Sequence, residues 1–151
     1  MIYSLLHTEA DLIYSLLRIV AGIIIFPYGM QKLFGWFDDL GGGKGIKEVL
    51  LQMKLKKVPG SIAWLIIIGQ SFGSVALILG FLGRIAAAGN FIIFFGALFY
   101  HAKDGWFINW LGKKKDEGIE YFILLLSILL AIIIKGSGAL SIDILLQNIW
   151  M

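Results

Sequence analysis

The chain has 151 residues, of which 59% are hydrophobic and 15% charged, and its mean hydropathy is +0.87. Soluble domains are roughly half apolar and a quarter charged, so this composition excludes an ordinary water-soluble fold and points to one integral membrane domain spanning 1–151. The formal net charge is only +3 and no continuous basic face forms, which excludes a nucleic-acid binder, and with 0 cysteines there is no disulfide, thiolate-held zinc or iron–sulfur cluster.

A membrane helix needs about 20 mostly apolar residues. The first such stretch covers about 12–30, LIYSLLRIVAGIIIFPYGM. Its leader, MIYSLLHTEAD, holds no Lys or Arg, and no small-residue cleavage site follows. It reads as an uncleaved anchor rather than a signal peptide. Pro27 removes one backbone hydrogen bond inside it and predicts a kink. A glycine-rich turn from Asp38 to Gly45 comes next. Over 45–57, Ile46, Val49, Leu50 and Met53 fall on one helical face, while Lys44, Lys47, Lys54, Lys56 and Lys57 lie largely elsewhere. That pattern predicts a short basic helix on the membrane surface, acting as a lid or as a lipid-anchored connector.

The second and third spans cover about 60–82 and 84–100, a tight hairpin separated by Gly83 and Arg84. The fourth covers about 119–134 and is the most apolar. These runs are too long and too uniform for barrel strands, and lipid tolerates only helices whose backbone groups are paired. The expected fold is therefore all-α: an integral membrane four-helix bundle with one interfacial helix between the first and second spans. Gly29, Gly35, Gly69, Gly73, Gly80 and Gly89 would allow close helix contact, within the bundle or in a homo-oligomer.

Lysines are lopsided. Lys32, Lys44, Lys47, Lys54, Lys56, Lys57, Lys103, Lys113, Lys114 and Lys115 share one side of this topology, against Arg84 and Lys135 on the other. The positive-inside rule places the lysine-rich loops in the cytoplasm and both termini outside, as for a multi-pass protein of a prokaryotic inner membrane. Trp36, Trp64, Trp106, Trp110, Tyr28, Tyr100 and Tyr121 flank the cytoplasmic ends, and Tyr14 and Trp150 the other face, which suits a headgroup-level aromatic belt.

Ionisable groups inside a span are costly, roughly 2.5–3.5 kcal/mol for Arg at a helix centre, and usually face a partner. Arg18 lies six residues into the first span and Asn90 six into the third, so both lie about 9 Å from the outer end at 1.5 Å per residue. Arg84 and Asp143 lie nearer that surface. Arg18, Arg84, Asn90 and Asp143 are thus expected to form an outer polar cluster, with Asp143 answering both arginines. It would be either a helix clamp or a ligand site. At the inner end Tyr28, Gln31, Lys32, His101 and Glu120 gather. His101 and Glu120 would pass protons or simply terminate helices. Gln70, near the middle of the second span, would bridge the clusters or cross-link helices.

His7 and His101 fall on opposite sides, so one chain cannot build a bis-His haem. No HExxH, GxGxxG or P-loop is present, and GGGKG lacks phosphate-loop spacing. No metal or covalently bound cofactor is expected. Redox chemistry here would need a diffusible carrier such as a quinone, or a partner subunit's centres.

Several segments, read in order, resemble the DoxX family. RIVAGIIIFPYGMQKLFG, with Arg18, Gly29 and Lys32, is similar to its first helix. GQSFGSVALILGFLGRIAA, with Gly73, Gly80, Arg84 and Ala86, resembles its second-to-third-helix hairpin. His101 matches the His that ends the third helix, and Glu120 lies in a stretch that resembles the fourth. Gly136, Gly138, Ser141 and Asp143 match a Gly–x–Gly–x–x–Ser–x–Asp element. The family often carries Glu where this chain has Gln70, which cannot carry a proton.

The resemblance implies a four-helix membrane bundle. It also implies a subunit or accessory of a quinone-linked oxidoreductase, because the family is named for a subunit of an archaeal thiosulfate:quinone oxidoreductase. Bacterial relatives look like parts of membrane assemblies that handle thiols and oxidative stress. On that reading a quinone or similar amphiphile sits between helices. Arg18, Asn90 and Asp143 would shape one polar pocket, and Lys32, His101 and Glu120 the other polar end. The alternative is a noncatalytic scaffold, lipid-binding protein or small transporter.

Overall fold

The computed structural model describes residues 7–37, 42–108 and 118–150, the last without its side chain. Trp110, Lys113, Lys114, Lys115 and the start of the glycine-rich turn at Asp38 lie outside the described residues.

The described residues form six α-helices and no strand: α1 (Leu12–Phe34), α2 (Gly45–Leu55), α3 (Gly60–Leu79), α4 (Gly83–His101), α5 (Glu120–Lys135) and α6 (Ile142–Trp150). A 3₁₀ turn over Ala102–Asp104 extends α4. Three helices are long and apolar enough to cross a membrane: α1, α3 and α4 with its 3₁₀ turn. At 16 residues, α5 rises about 24 Å at 1.5 Å per residue, against a hydrocarbon core of about 30 Å.

Helix α1 starts on Asp11, whose side chain accepts from the Ile13 amide at 2.7 Å, an N-cap that satisfies an otherwise orphaned donor. It runs unbroken through Pro27 to Gly35, where a left-handed φ of 73° ends it. It packs against α3 and α5, and α4 packs against the same two helices. The buried core draws on all four: Ala21 and Ile25, Leu77, Ala87 and Phe94, and Phe122, Leu125, Leu126, Leu129 and Ile132. The outward faces stay apolar, with Ile13, Leu16, Phe72, Ile92 and Leu124 exposed. Helices apolar on every side suit lipid, where the bundle gains nothing by hiding them.

Helix α2 matches the amphipathic pattern. Val49 is fully buried, Lys47 and Lys54 are exposed, and the helix packs on α1 and α3. It ends at Leu55, two residues before the expected boundary.

Two features differ from expectation. The hairpin turns at 80–82, so Gly83 and Arg84 belong to α4 instead of separating two helices. The cause is a Schellman cap: Gly80, at φ 69°, donates to Leu77 O, while Phe81 N donates to Ala76 O at 3.0 Å. Helix α6 was not anticipated. It follows a turn capped by Ser141, whose Oγ accepts from the Ile144 amide at 3.2 Å.

Candidate functional site

The polar residues separate into three groups along the bundle. The first lies at the hairpin end. Arg18 is fully buried, and its guanidinium donates to four backbone carbonyls. Nε reaches Ser137 O at 2.8 Å; Nη1 reaches Leu77 O, and Ile78 O at 2.7 Å; Nη2 reaches Leu140 O. Leu77 and Ile78 form the last turn of α3, where carbonyls have no intrahelical partner and the helix dipole is negative. Asp143 does the opposite. Its Oδ1 accepts from Leu82 N at 2.7 Å and its Oδ2 from Gly83 N at 2.9 Å, both at the start of α4. Ser137 Oγ donates to Asp143 Oδ2 at 2.6 Å. A cation therefore grips the C-terminus of α3 and an anion the N-terminus of α4, across a three-residue turn.

This overturns the expected pairing of both arginines with Asp143. Arg84 Nε donates to His7 O at 3.0 Å instead. Asn90 is not in the cluster either. Its Nδ2 donates to Gly69 O and Ala86 O, both at 3.0 Å, deeper along α3 and α4. Backbone groups at helix ends outbid the carboxylate because they are otherwise unsatisfied. The residues that complete this end were not singled out in the sequence. Thr8 Oγ1 accepts from Gly138 N at 2.7 Å, and Ser15 Oγ accepts from Leu140 N at 2.9 Å. Small hydroxyls of this kind carry no spacing signal. Beside Leu140 and Ser141 an apolar groove of about 370 Å³ opens, lined also by Leu79, Ala139, Ile142 and Leu145.

The second group lies between the helices. Gln70 Oε1 and Asn90 Oδ1 are buried side-chain atoms without a hydrogen-bond partner, and the Tyr121 hydroxyl is also buried. Their helices meet here. A Cβ on Gly29 of α1 would strike the Gln70 backbone of α3. Asn90 of α4 bonds the carbonyl next to Gln70. Phe94, one turn along α4, lies edge-on to Tyr121 of α5, with ring centroids 6.5 Å apart, and Tyr28 of α1 interacts with Tyr121. Tyr121 thus turns inward and leaves the aromatic belt. Orphaned buried polar atoms are rare, and each one marks a ligand, a water or a strain.

The third group, at the lysine-rich end, is split. Gln31 is fully buried and its Nε2 donates to Gly43 O at 3.1 Å. Lys32 Nζ lies 3.4 Å from Tyr28 O and 5.8 Å from the Tyr28 ring. Gln31 thus fastens α1 to the loop before α2, while Lys32 folds back on its own helix. His101 Nδ1 meets Asp104 Oδ2 at 2.7 Å, and its ring stacks on Phe122 at 5.3 Å. Glu120 Oε2 accepts from Ile108 N at 3.3 Å. His101 is therefore partnered by Asp104, three residues on, rather than by Glu120. Asp104 was overlooked because its position follows from the 3₁₀ turn, which no periodicity announces.

Helices of this length, apolar on their outer faces and joined through buried polar groups, define a multi-pass membrane protein. The DoxX family model matches residues 13–103, from α1 through the 3₁₀ turn. The chain belongs to the DoxX family. No curated protein and no solved structure matches it significantly.

Proposed function

We propose that the protein is a membrane subunit or accessory of a quinone-linked oxidoreductase, which holds the head of a quinone or quinol among α1, α3, α4 and α5. The observation that carries this reading is the pair of orphaned acceptors on Gln70 and Asn90. Both suit quinol hydroxyls, and the buried Tyr121 hydroxyl, which interacts with Tyr28, would turn to donate to a quinone carbonyl. When bound, the quinone would carry electrons and protons to or from a partner subunit. The chain's own residues would orient the head by hydrogen bonds, and Phe94 would exclude water beside it.

The reading includes a fourth membrane crossing by α5. Lys135, at its end, bonds Glu9 at 2.9 Å beside the start of α1, while Glu120, at its start, bonds the turn after α4. The helix therefore runs the length of the bundle. Lysine-rich loops would face the cytoplasm of a prokaryotic cell.

Organic extracts of the purified protein, analysed by mass spectrometry, test the proposal. Near-stoichiometric quinone is expected from the native chain, with a loss of at least about tenfold in Asn90→Leu, the cost of about one hydrogen bond to the head. Bulk phospholipid alone in both samples would overturn it. A second reading, a noncatalytic scaffold, is favoured by Arg18, four of whose five N–H donors are spent on backbone carbonyls.

A further inference from the structure

At the lysine-rich end two cations share one ring. Tyr100, next to last in α4, is half exposed. Lys56 Nζ lies 4.8 Å and Lys103 Nζ 5.2 Å from its centroid, so the two ammonium groups stand within about 10 Å of each other. That is about one Debye length at 0.1 M salt, so their repulsion is only partly screened. The ring attracts each cation but brings no net charge. The nearby carboxylates are engaged elsewhere: Asp104 with His101, Glu120 with Ile108 N, and Glu48 with Lys44 N and Gln52. Among the described residues neither lysine is paired with a carboxylate, so the arrangement there is short of one anion.

Two further features identify the anion. The chain neighbours of this pair are exposed and apolar, Leu55 at 75% and Phe99 at 66%. The ring also sits at the end of a helix long enough to cross a membrane, the depth at which headgroup phosphates lie. We propose that Lys56, Tyr100 and Lys103 bind the phosphate of an anionic phospholipid, whose acyl chains run along Leu55 and Phe99. The phosphate would tie the end of α2, which packs on α1 and α3, to the end of α4. This site is independent of the quinone reading.

Native mass spectrometry of the detergent-purified protein, titrated with phosphatidylglycerol and with phosphatidylcholine, tests it. The native chain should retain phosphatidylglycerol preferentially, and K56Q/K103Q should lose that preference by about fivefold per lysine. K47Q/K54Q removes the same amount of charge, from within α2, and should keep it, as should K56R/K103R. Equal retention of the two lipids by the native chain would overturn the site. Equal losses in K56Q/K103Q and K47Q/K54Q would also overturn it, showing a diffuse field. Displacement of the lipid by millimolar inorganic phosphate would overturn the assignment to lipid.

Discussion

Arg18 and Gln70 are both buried polar residues inside apolar helices, yet they behave differently. Arg18 spends four of its five guanidinium N–H donors on backbone carbonyls, so truncating it orphans carbonyls in a dry setting. Arg18→Gln should lower stability by about 2–4 kcal/mol, with Arg18→Lys in between because a point charge cannot reproduce the fork; chemical denaturation in detergent followed by circular dichroism reads this. Gln70 has an unpaired oxygen instead. In protein stripped of quinone, Gln70→Leu should raise the melting temperature by removing a polar atom with nothing to bond. An unchanged or lower value would place a retained water or ligand there. The sequence makes the positions of these residues legible, since a charge in an apolar run is visible by inspection. Their partners are not. Asp143 is the obvious answer to Arg18, but the carbonyls that win belong to Leu77, Ile78, Ser137 and Leu140, and a backbone carbonyl is the same in every letter.

The helices themselves are largely readable, because a run of about 20 apolar residues has one solution in lipid. Their boundaries are less so. The hairpin turn falls at Gly80 rather than at Gly83 because of a left-handed φ of 69° and because loop 136–143 fills the space around it. A Cβ at Gly80 would meet Ser141 Cβ at 2.5 Å and Arg18 Cζ at 2.8 Å. Gly80→Ala should therefore destabilise by more than about 2 kcal/mol, combining strain with the loss of the Arg18 grip. Gly89, in the middle of α4, would meet nothing within 4 Å, so it makes no close helix contact within the bundle. Gly89→Ala should be neutral or should stabilise by up to about 1 kcal/mol through helix propensity. Thermal unfolding of the two variants side by side decides the matter. Helix α6 escaped notice because nine residues after a glycine-rich turn are too few for a periodic signal.

At the scale of the whole molecule, the two ends of the bundle are built differently. One end is knit from three segments distant in the chain: 7–11, 80–83 and 135–143. Thr8 N bonds Gln147 Oε1 at 3.0 Å, Glu9 N bonds Lys135 O at 3.2 Å, and Ala139 N bonds Asp11 O at 3.1 Å. The other end carries α2 and the exposed lysines. Because the chain has 0 cysteines, single-cysteine variants can report its sidedness directly. A membrane-impermeant maleimide should label Glu9→Cys and Lys135→Cys in intact cells, and Lys47→Cys only after lysis. Labelling of Lys47→Cys from outside would invert the orientation. Lysine counts make this asymmetry legible, whereas the knitted end rests on contacts between segments from about 60 to about 140 residues apart, which no local pattern encodes.

The Arg18–Ser137 bond spans 119 residues of sequence. A ribosome adds about 5–20 residues per second, so α1 enters the bilayer roughly 6–24 s before that carbonyl has been made. For the first half of this interval the guanidinium has neither Leu77 nor Ile78 to hold, throughout it lacks Leu140, and it must reach back to the lipid–water boundary. Biogenesis therefore has a vulnerable period that closes only when the last segment arrives, and a chain truncated before Ser137 would leave a charged, unlatched first helix for membrane quality control to remove.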